Sequence, residues 1–93
     1  MANVNFYSTL RQIVGKKTVE FTLPSEATIR QLIGEIVRCY PTLRREMVNE
    51  QGELYGHVHI FINGRDSSFL AENLDTELQP DDTISVFPAV GGG

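Results

Sequence analysis

His57-Val58-His59-Ile60-Phe61-Ile62-Asn63-Gly64 changes character at every second residue and then reaches a pair suited to a tight turn. This period of two predicts a strand over 57–62, with Val58, Ile60 and Ile62 on one face and His57, His59 and Phe61 on the other. Asn63-Gly64 supplies the turn that follows. A strand with one branched aliphatic face needs something apolar laid over it.

The segment Ile29 to Tyr40 provides that cover. Ile29, Leu32, Ile33, Ile36, Val37 and Tyr40 recur at helical spacing, while Arg30, Gln31, Gly34, Glu35 and Arg38 fall on the opposite side. Thr28 and Gln31 stand at capping-box spacing at the start, and Pro41 closes the end. Gly34 in the helix interior costs about 0.8 to 1 kcal/mol relative to alanine.

Further strands are expected on both sides of this helix. Asn3 to Tyr7 alternates, with Val4 and Phe6 on one face and Asn5 and Tyr7 on the other. Lys17 to Leu23 aligns Val19, Phe21 and Leu23, so two strands in succession read as a hairpin. Ser8 to Gly15, between them, admits either an extension of the first strand or a short turn of helix. Thr42 to Val48 suggests a second short helix, Asn49 to Gly56 a loop, Gln79 to Asp82 a turn, and Thr83 to Phe87 the last strand. This order predicts an α+β domain with one main helix packed on a mixed sheet.

Ninety-three residues suffice for one small core, and 41% apolar with 22% charged residues fits a soluble globular chain. No apolar run approaches the length of a membrane span, and the start MANVNFYSTL lacks the basic and apolar regions of a signal peptide. A cytoplasmic location with no membrane partner is therefore expected. A formal charge of −4, with dispersed lysines and arginines, argues against nucleic acid as a partner. The lone Cys39 excludes an internal disulfide framework.

If Val58, Ile60 and Ile62 face the helix, then Phe61 faces away from it. The same alternation turns Ile84 and Val86 inward, Phe87 outward, and sends Tyr7 outward from the first strand. Tyr7, Phe61 and Phe87 are thus expected as a solvent-facing aromatic patch, a candidate for binding another protein.

Phe87 opens the stretch Phe87-Pro88-Ala89-Val90-Gly91-Gly92-Gly93. A run of glycines has no side chains to block its entry into a narrow channel. Its terminal carboxylate resists nucleophiles until one oxygen becomes a leaving group, for example by adenylation with ATP. Sulfur can then displace the nucleotide to give a thiocarboxylate, or a lysine amine can displace it to give an amide. A frayed terminus has the same composition.

This tail, together with Val4 to Tyr7, Thr28-Ile29-Arg30, Ile60 to Gly64 and Asp81-Asp82-Thr83-Ile84, resembles the beta-grasp, ubiquitin-like sulfur carriers. Within that family it is similar to the small subunit of molybdopterin synthase and to the carrier of thiocarboxylate-dependent cysteine synthesis. The resemblance implies a beta-grasp domain over residues 1–88 and a flexible glycine-ended tail over 89–93. It implies that Gly93 carries the activated carboxylate, that Gly91 and Gly92 allow the tail to enter its partners, and that Tyr7, Phe61, Phe87, Pro88 and Val90 contact them. Gly91 stands where relatives usually have alanine, which loosens the tail.

The resemblance further implies a protein cosubstrate, or the non-catalytic small subunit of a sulfurtransferase complex, that binds no cofactor itself. ATP and magnesium belong to an E1-like adenylating enzyme. A sulfur donor enzyme and an acceptor, such as the molybdopterin synthase large subunit or a cysteine synthase, complete the set. Molybdopterin synthesis is the leading expectation. Sulfur delivery to cysteine, thiamine or transfer RNA, ubiquitin-like protein modification, and a domain whose tail is never activated are the alternatives.

Other constellations carry less chemistry. His57 and His59 would share a strand face, but a zinc site needs more ligands, so no metal is expected. Cys39, beside Leu32 at the margin of the apolar stripe, is expected as a small packed thiol. Lys16 and Lys17 read as a solvated turn, and no nucleophile elbow or phosphate loop is present.

Overall fold

The computed structural model describes residues 2–88. The expectations placed on Ala89, Val90, Gly91, Gly92 and Gly93 lie outside the described residues.

Strand β1 (Ala2–Phe6) leads through helix α1 (Ser8–Val14) to β2 (Thr18–Phe21). Helix α2 (Ile29–Cys39) and helix α3 (Pro41–Met47) follow, then β3 (Val58–Ile62), β4 (Arg65–Asp66) and β5 (Ile84–Pro88). The five strands form one mixed sheet in the order β2-β1-β5-β3-β4. Its central pair, β1 and β5, is parallel, with Val4 opposite Ile84 and Phe6 opposite Val86. The β1/β2, β3/β4 and β3/β5 pairs are antiparallel. This is the beta-grasp, ubiquitin-like architecture, with α2 as its main helix.

The alternation read from the sequence sorts the side chains as expected. Val4, Phe6, Val58, Ile60, Ile62, Ile84 and Val86 are buried beneath Ile29, Leu32, Ile33 and Ile36 of α2. Leu10 from α1 and Leu43 and Met47 from α3 close the ends of this core. Truncating Leu32 or Ile36 to alanine is expected to cost about 2 to 5 kcal/mol, through lost transfer energy and the cavity left behind.

Local chemistry sets the boundaries. At the start of α2 the Gln31 N–H donates to Thr28 Oγ1 (3.2 Å) and the Thr28 N–H donates to Gln31 Oε1 (2.8 Å), which completes the capping box. Pro41 ends α2 and also opens α3, where a missing N–H at the first helical position is harmless. Asn63 (φ 54°) and Gly64 (φ 85°) both take left-handed backbone, so β3 turns back into β4 through a two-residue hairpin.

Of the two alternatives for Ser8 to Gly15 the chain takes the helix, over Ser8–Val14, and β1 and β2 pair antiparallel across it. Three expectations are corrected. β1 ends at Phe6, and Tyr7 caps α1 in extended conformation while still pointing outward. β3 begins at Val58, leaving His57 in the preceding turn, where its ring stacks on Tyr55 at 5.2 Å. Cys39 is exposed rather than packed, because it falls at the solvent side of the last helical turn, with Sγ 3.7 Å from Glu35 Oε2. The polar stretch after β4 contains two 3-10 turns, Ser67–Phe69 and Asn73–Asp75, that the sequence pattern does not predict.

Candidate functional site

α2 covers one face of the sheet, and the outer face carries the site. Four strands converge there by register. In β5, Phe87 pairs with His59 of β3 and Ser85 pairs with Phe61, while Asn5 of β1 lies on the other side of Ser85. Phe61 in turn pairs with Asp66 of β4. A row Asn5, Ser85, Phe61, Asp66 therefore crosses the sheet, with Tyr7, Phe87 and His59 forming the next row toward the exit of β5.

The three expected aromatic residues meet. The rings of Tyr7 and Phe87 stack with centroids 4.2 Å apart and planes 13° from parallel. Phe61 meets the other side of Phe87 edge to face, at 5.2 Å and 73°. Each ring shields its neighbour, so all three are half-buried rather than open to solvent. Pro88, also half-buried, follows at the strand end opposite Val58. Among the described residues the exposed large apolar side chain is Phe69, at 79%, in the 3-10 turn that follows Asp66.

Polar groups frame the cluster, and of these the sequence reading placed His59 on this face but missed Arg11, Asp66 and Ser68. The guanidinium of Arg11 sits 5.2 Å from the Tyr7 ring centroid, and its Nε–H donates to the Phe6 carbonyl at 2.8 Å. On the other side, His59 Nδ1 lies 3.0 Å from Asp66 Oδ2. The Ser68 N–H (2.9 Å) and Ser68 hydroxyl (3.0 Å) both donate to Asp66 Oδ1. Burial works against ionisation of Asp66, but these Ser68 donors and the His59 ring outweigh it and hold the carboxyl below the ordinary aspartate range. His59, Phe61, Gly64, Asp66, Ser85 and Phe87 line a shallow hollow of about 420 Å³.

One signal for Asp66 was available. A two-residue Asn63-Gly64 turn forces Ile62 opposite Arg65 and Phe61 opposite Asp66, so the register could have been counted outward from the turn. Nothing comparable marks Arg11, whose position depends on helix α1, one of two alternatives that the sequence left open between β1 and β2.

An apolar cluster with a polar rim, carried on a rigid sheet, suits docking of another protein rather than chemistry of its own. Among the described residues no three His, Cys, Asp or Glu side chains gather as metal ligands, and His57 and His59 take separate partners. No helix among them is long and apolar enough to cross a membrane.

The sequence profile of the ThiS family matches residues 4–93. The chain belongs to the ThiS family. Its fold and family make it a small beta-grasp protein of the sulfur-carrier and ubiquitin-like modifier type, a carrier or cosubstrate rather than a catalyst. This ThiS-family chain is 32% identical over 90 residues to small archaeal modifier protein 3 of Haloferax volcanii, covering 97% of this chain and 96% of that one. It superimposes on the crystal structure of SAMP1 from Haloferax volcanii with a TM-score of 0.85 at 26% identity, covering 99% and 98% of the two chains. A chain of the BexX/CysO complex of Amycolatopsis orientalis matches with a TM-score of 0.80 at 26% identity over 100% of both.

Proposed function

We propose that this chain is a sulfur carrier and protein modifier that reacts through the Gly93 carboxylate and docks through Tyr7, Phe61, Phe87 and Pro88. The observation that supports this best is the stacked Tyr7–Phe87 pair at the end of β5, the last strand before Ala89 to Gly93. In this reading residues 1–88 are the recognition domain and 89–93 the tail, with Val90 as a further contact and Gly91 and Gly92 as its narrow neck.

An E1-like adenylating enzyme holds ATP and magnesium. The Gly93 carboxylate attacks the α-phosphorus and pyrophosphate leaves. A sulfide equivalent from a sulfur donor enzyme then attacks the acyl carbon and AMP leaves, which gives the thiocarboxylate. A lysine ε-amine attacking the same carbon, with loss of AMP and a proton, gives an amide. All of these steps belong to the cytoplasm.

The match to a small archaeal modifier protein favours lysine modification alongside sulfur delivery. Molybdopterin synthesis, the leading expectation from the sequence, has no observation that singles it out from delivery to cysteine, thiamine or transfer RNA. The test is incubation of the chain with ATP, magnesium, an E1-like enzyme and sulfide, followed by intact-mass and fragment analysis. Replacement of one oxygen by sulfur at Gly93 is the expected result. A mass that stays unchanged, with no AMP released, would overturn the carrier reading and leave a pure interaction domain.

A further inference from the structure

Helix α2 has a second surface that the docking face does not use. Beside it, toward the segment that follows α3, lies a groove of about 290 Å³. Its apolar lining includes Ile33, Val37, Leu54 and Leu74, the last three only partly buried. Every charged side chain that lines it is an arginine (Arg30, Arg38 and Arg44), although the chain as a whole carries a formal charge of −4.

Gly34 lies on this lining, in the middle of α2. A Cβ built there meets nothing within 4 Å, so no close packing inside the chain calls for glycine at this position. Its backbone is helical, so no left-handed turn calls for it either. A residue that weakens its own helix and touches nothing leaves room for something outside the molecule.

We infer that this groove is a second docking surface, and that its occupant is an acidic peptide segment of a partner protein with an aliphatic side chain laid over Gly34. The apolar lining accepts the aliphatic group and the arginine rim accepts flanking carboxylates. Arg44 makes no ion pair among the described residues. Arg30 is held by Asp75 at 2.9 Å, with both side chains more than half exposed, and Arg38 by Glu35. The exposed Arg30–Asp75 pair adds little stability, so a partner carboxylate can share or take over that guanidinium, whereas Glu35 holds Arg38 through both carboxylate oxygens. Because α2 covers the opposite face of the sheet from Phe87, the groove stays open while the aromatic face is docked.

The test is an amide-resolved NMR titration of the full chain with a short synthetic leucine–glutamate peptide, with a leucine–lysine peptide as control. Shifts are expected at Gly34 and at Arg30, Arg38 and Arg44, weakening with added salt and absent for the lysine peptide. Gly34→Leu starts from a Cβ that meets nothing within 4 Å, adds an aliphatic side chain beside the groove and removes the helix penalty of glycine, and is expected to weaken binding about tenfold while folding at least as stably. Shifts confined to Tyr7, Phe61 and Phe87, no shifts at all, or equal binding by Gly34→Leu would each overturn the inference. Equivalent shifts on concentrating the protein alone would overturn it in favour of a second copy of the chain. None of these outcomes depends on whether Gly93 accepts sulfur.

Discussion

Phe87 lies sandwiched between Tyr7, stacked at 4.2 Å, and Phe61, edge-on at 5.2 Å, on the last strand before the glycine tail. Residues from three segments distant in sequence, the start of α1, β3 and β5, thus meet at one ring. The arrangement fixes where β5 releases the chain, and it links the stability of the sheet to the surface offered to a partner.

Replacing Phe87 by alanine removes the ring on which both neighbours rest. Affinity for the activating enzyme is expected to fall tenfold or more, since buried aromatic anchors carry on the order of 2 kcal/mol of binding energy. Isothermal titration with the purified partner measures this directly, and unchanged affinity would remove Phe87 from the docking face.

The Tyr7–Phe87 stack should register as a coupling within the chain itself. In a double-mutant cycle of Tyr7→Leu and Phe87→Leu, the coupling is expected at about 0.5 to 1.5 kcal/mol by urea unfolding. Strict additivity would mean that the stack adds nothing beyond area burial.

Asp66 gives the fold a pH dependence whose sign follows from its lowered pKa. The native state holds its proton less tightly than the unfolded chain does, so the contribution is present above the ordinary aspartate range. It is lost as pH falls through that range and past the lower native value. Asp66→Asn is therefore expected to be less stable than the parent at pH 7 and to approach it in strong acid. Denaturant midpoints at the two extremes test this, and a difference that does not shrink in acid would show that the charge plays no part.

Thr28→Ala removes the side-chain half of the capping box on α2, the Oγ1 that accepts from the Gln31 N–H, and keeps the backbone N–H that donates to Gln31 Oε1. A loss of about 1 kcal/mol is expected, read as a lower urea midpoint with an unchanged slope.

Deleting Gly92 and Gly93 should leave the melting temperature unchanged and abolish both thiocarboxylate and lysine conjugates, because terminal residues contribute little to a core. Sulfur transfer by the shortened chain would refute the assignment of the tail.

Local periodicity was enough to place the inward faces of the strands and of α2, though not Leu10, Leu43 and Met47, which α1 and α3 bring to the core. A period of two in β1, β3 and β5 and a period near 3.6 in α2 are local consequences of backbone geometry, so Val4, Ile60, Val86, Leu32 and Ile36 could be assigned to the core without knowing what they touch. The capping box and the Asn63-Gly64 turn were legible for the same reason, since each is closed by residues a few positions apart. The outward direction of Tyr7, Phe61 and Phe87 also followed from alternation. Only the tertiary structure decided what those rings do to one another. The parallel pairing of β1 with β5 sets Tyr7 beside Phe87, and the antiparallel pairing of β5 with β3 sets Phe61 and His59 beside it. Strand order and register are not encoded in any single strand, because the same alternating face can pair with several neighbours. Cys39 lay at the margin of the helical stripe, where angular position alone leaves burial open, and its thiol is exposed.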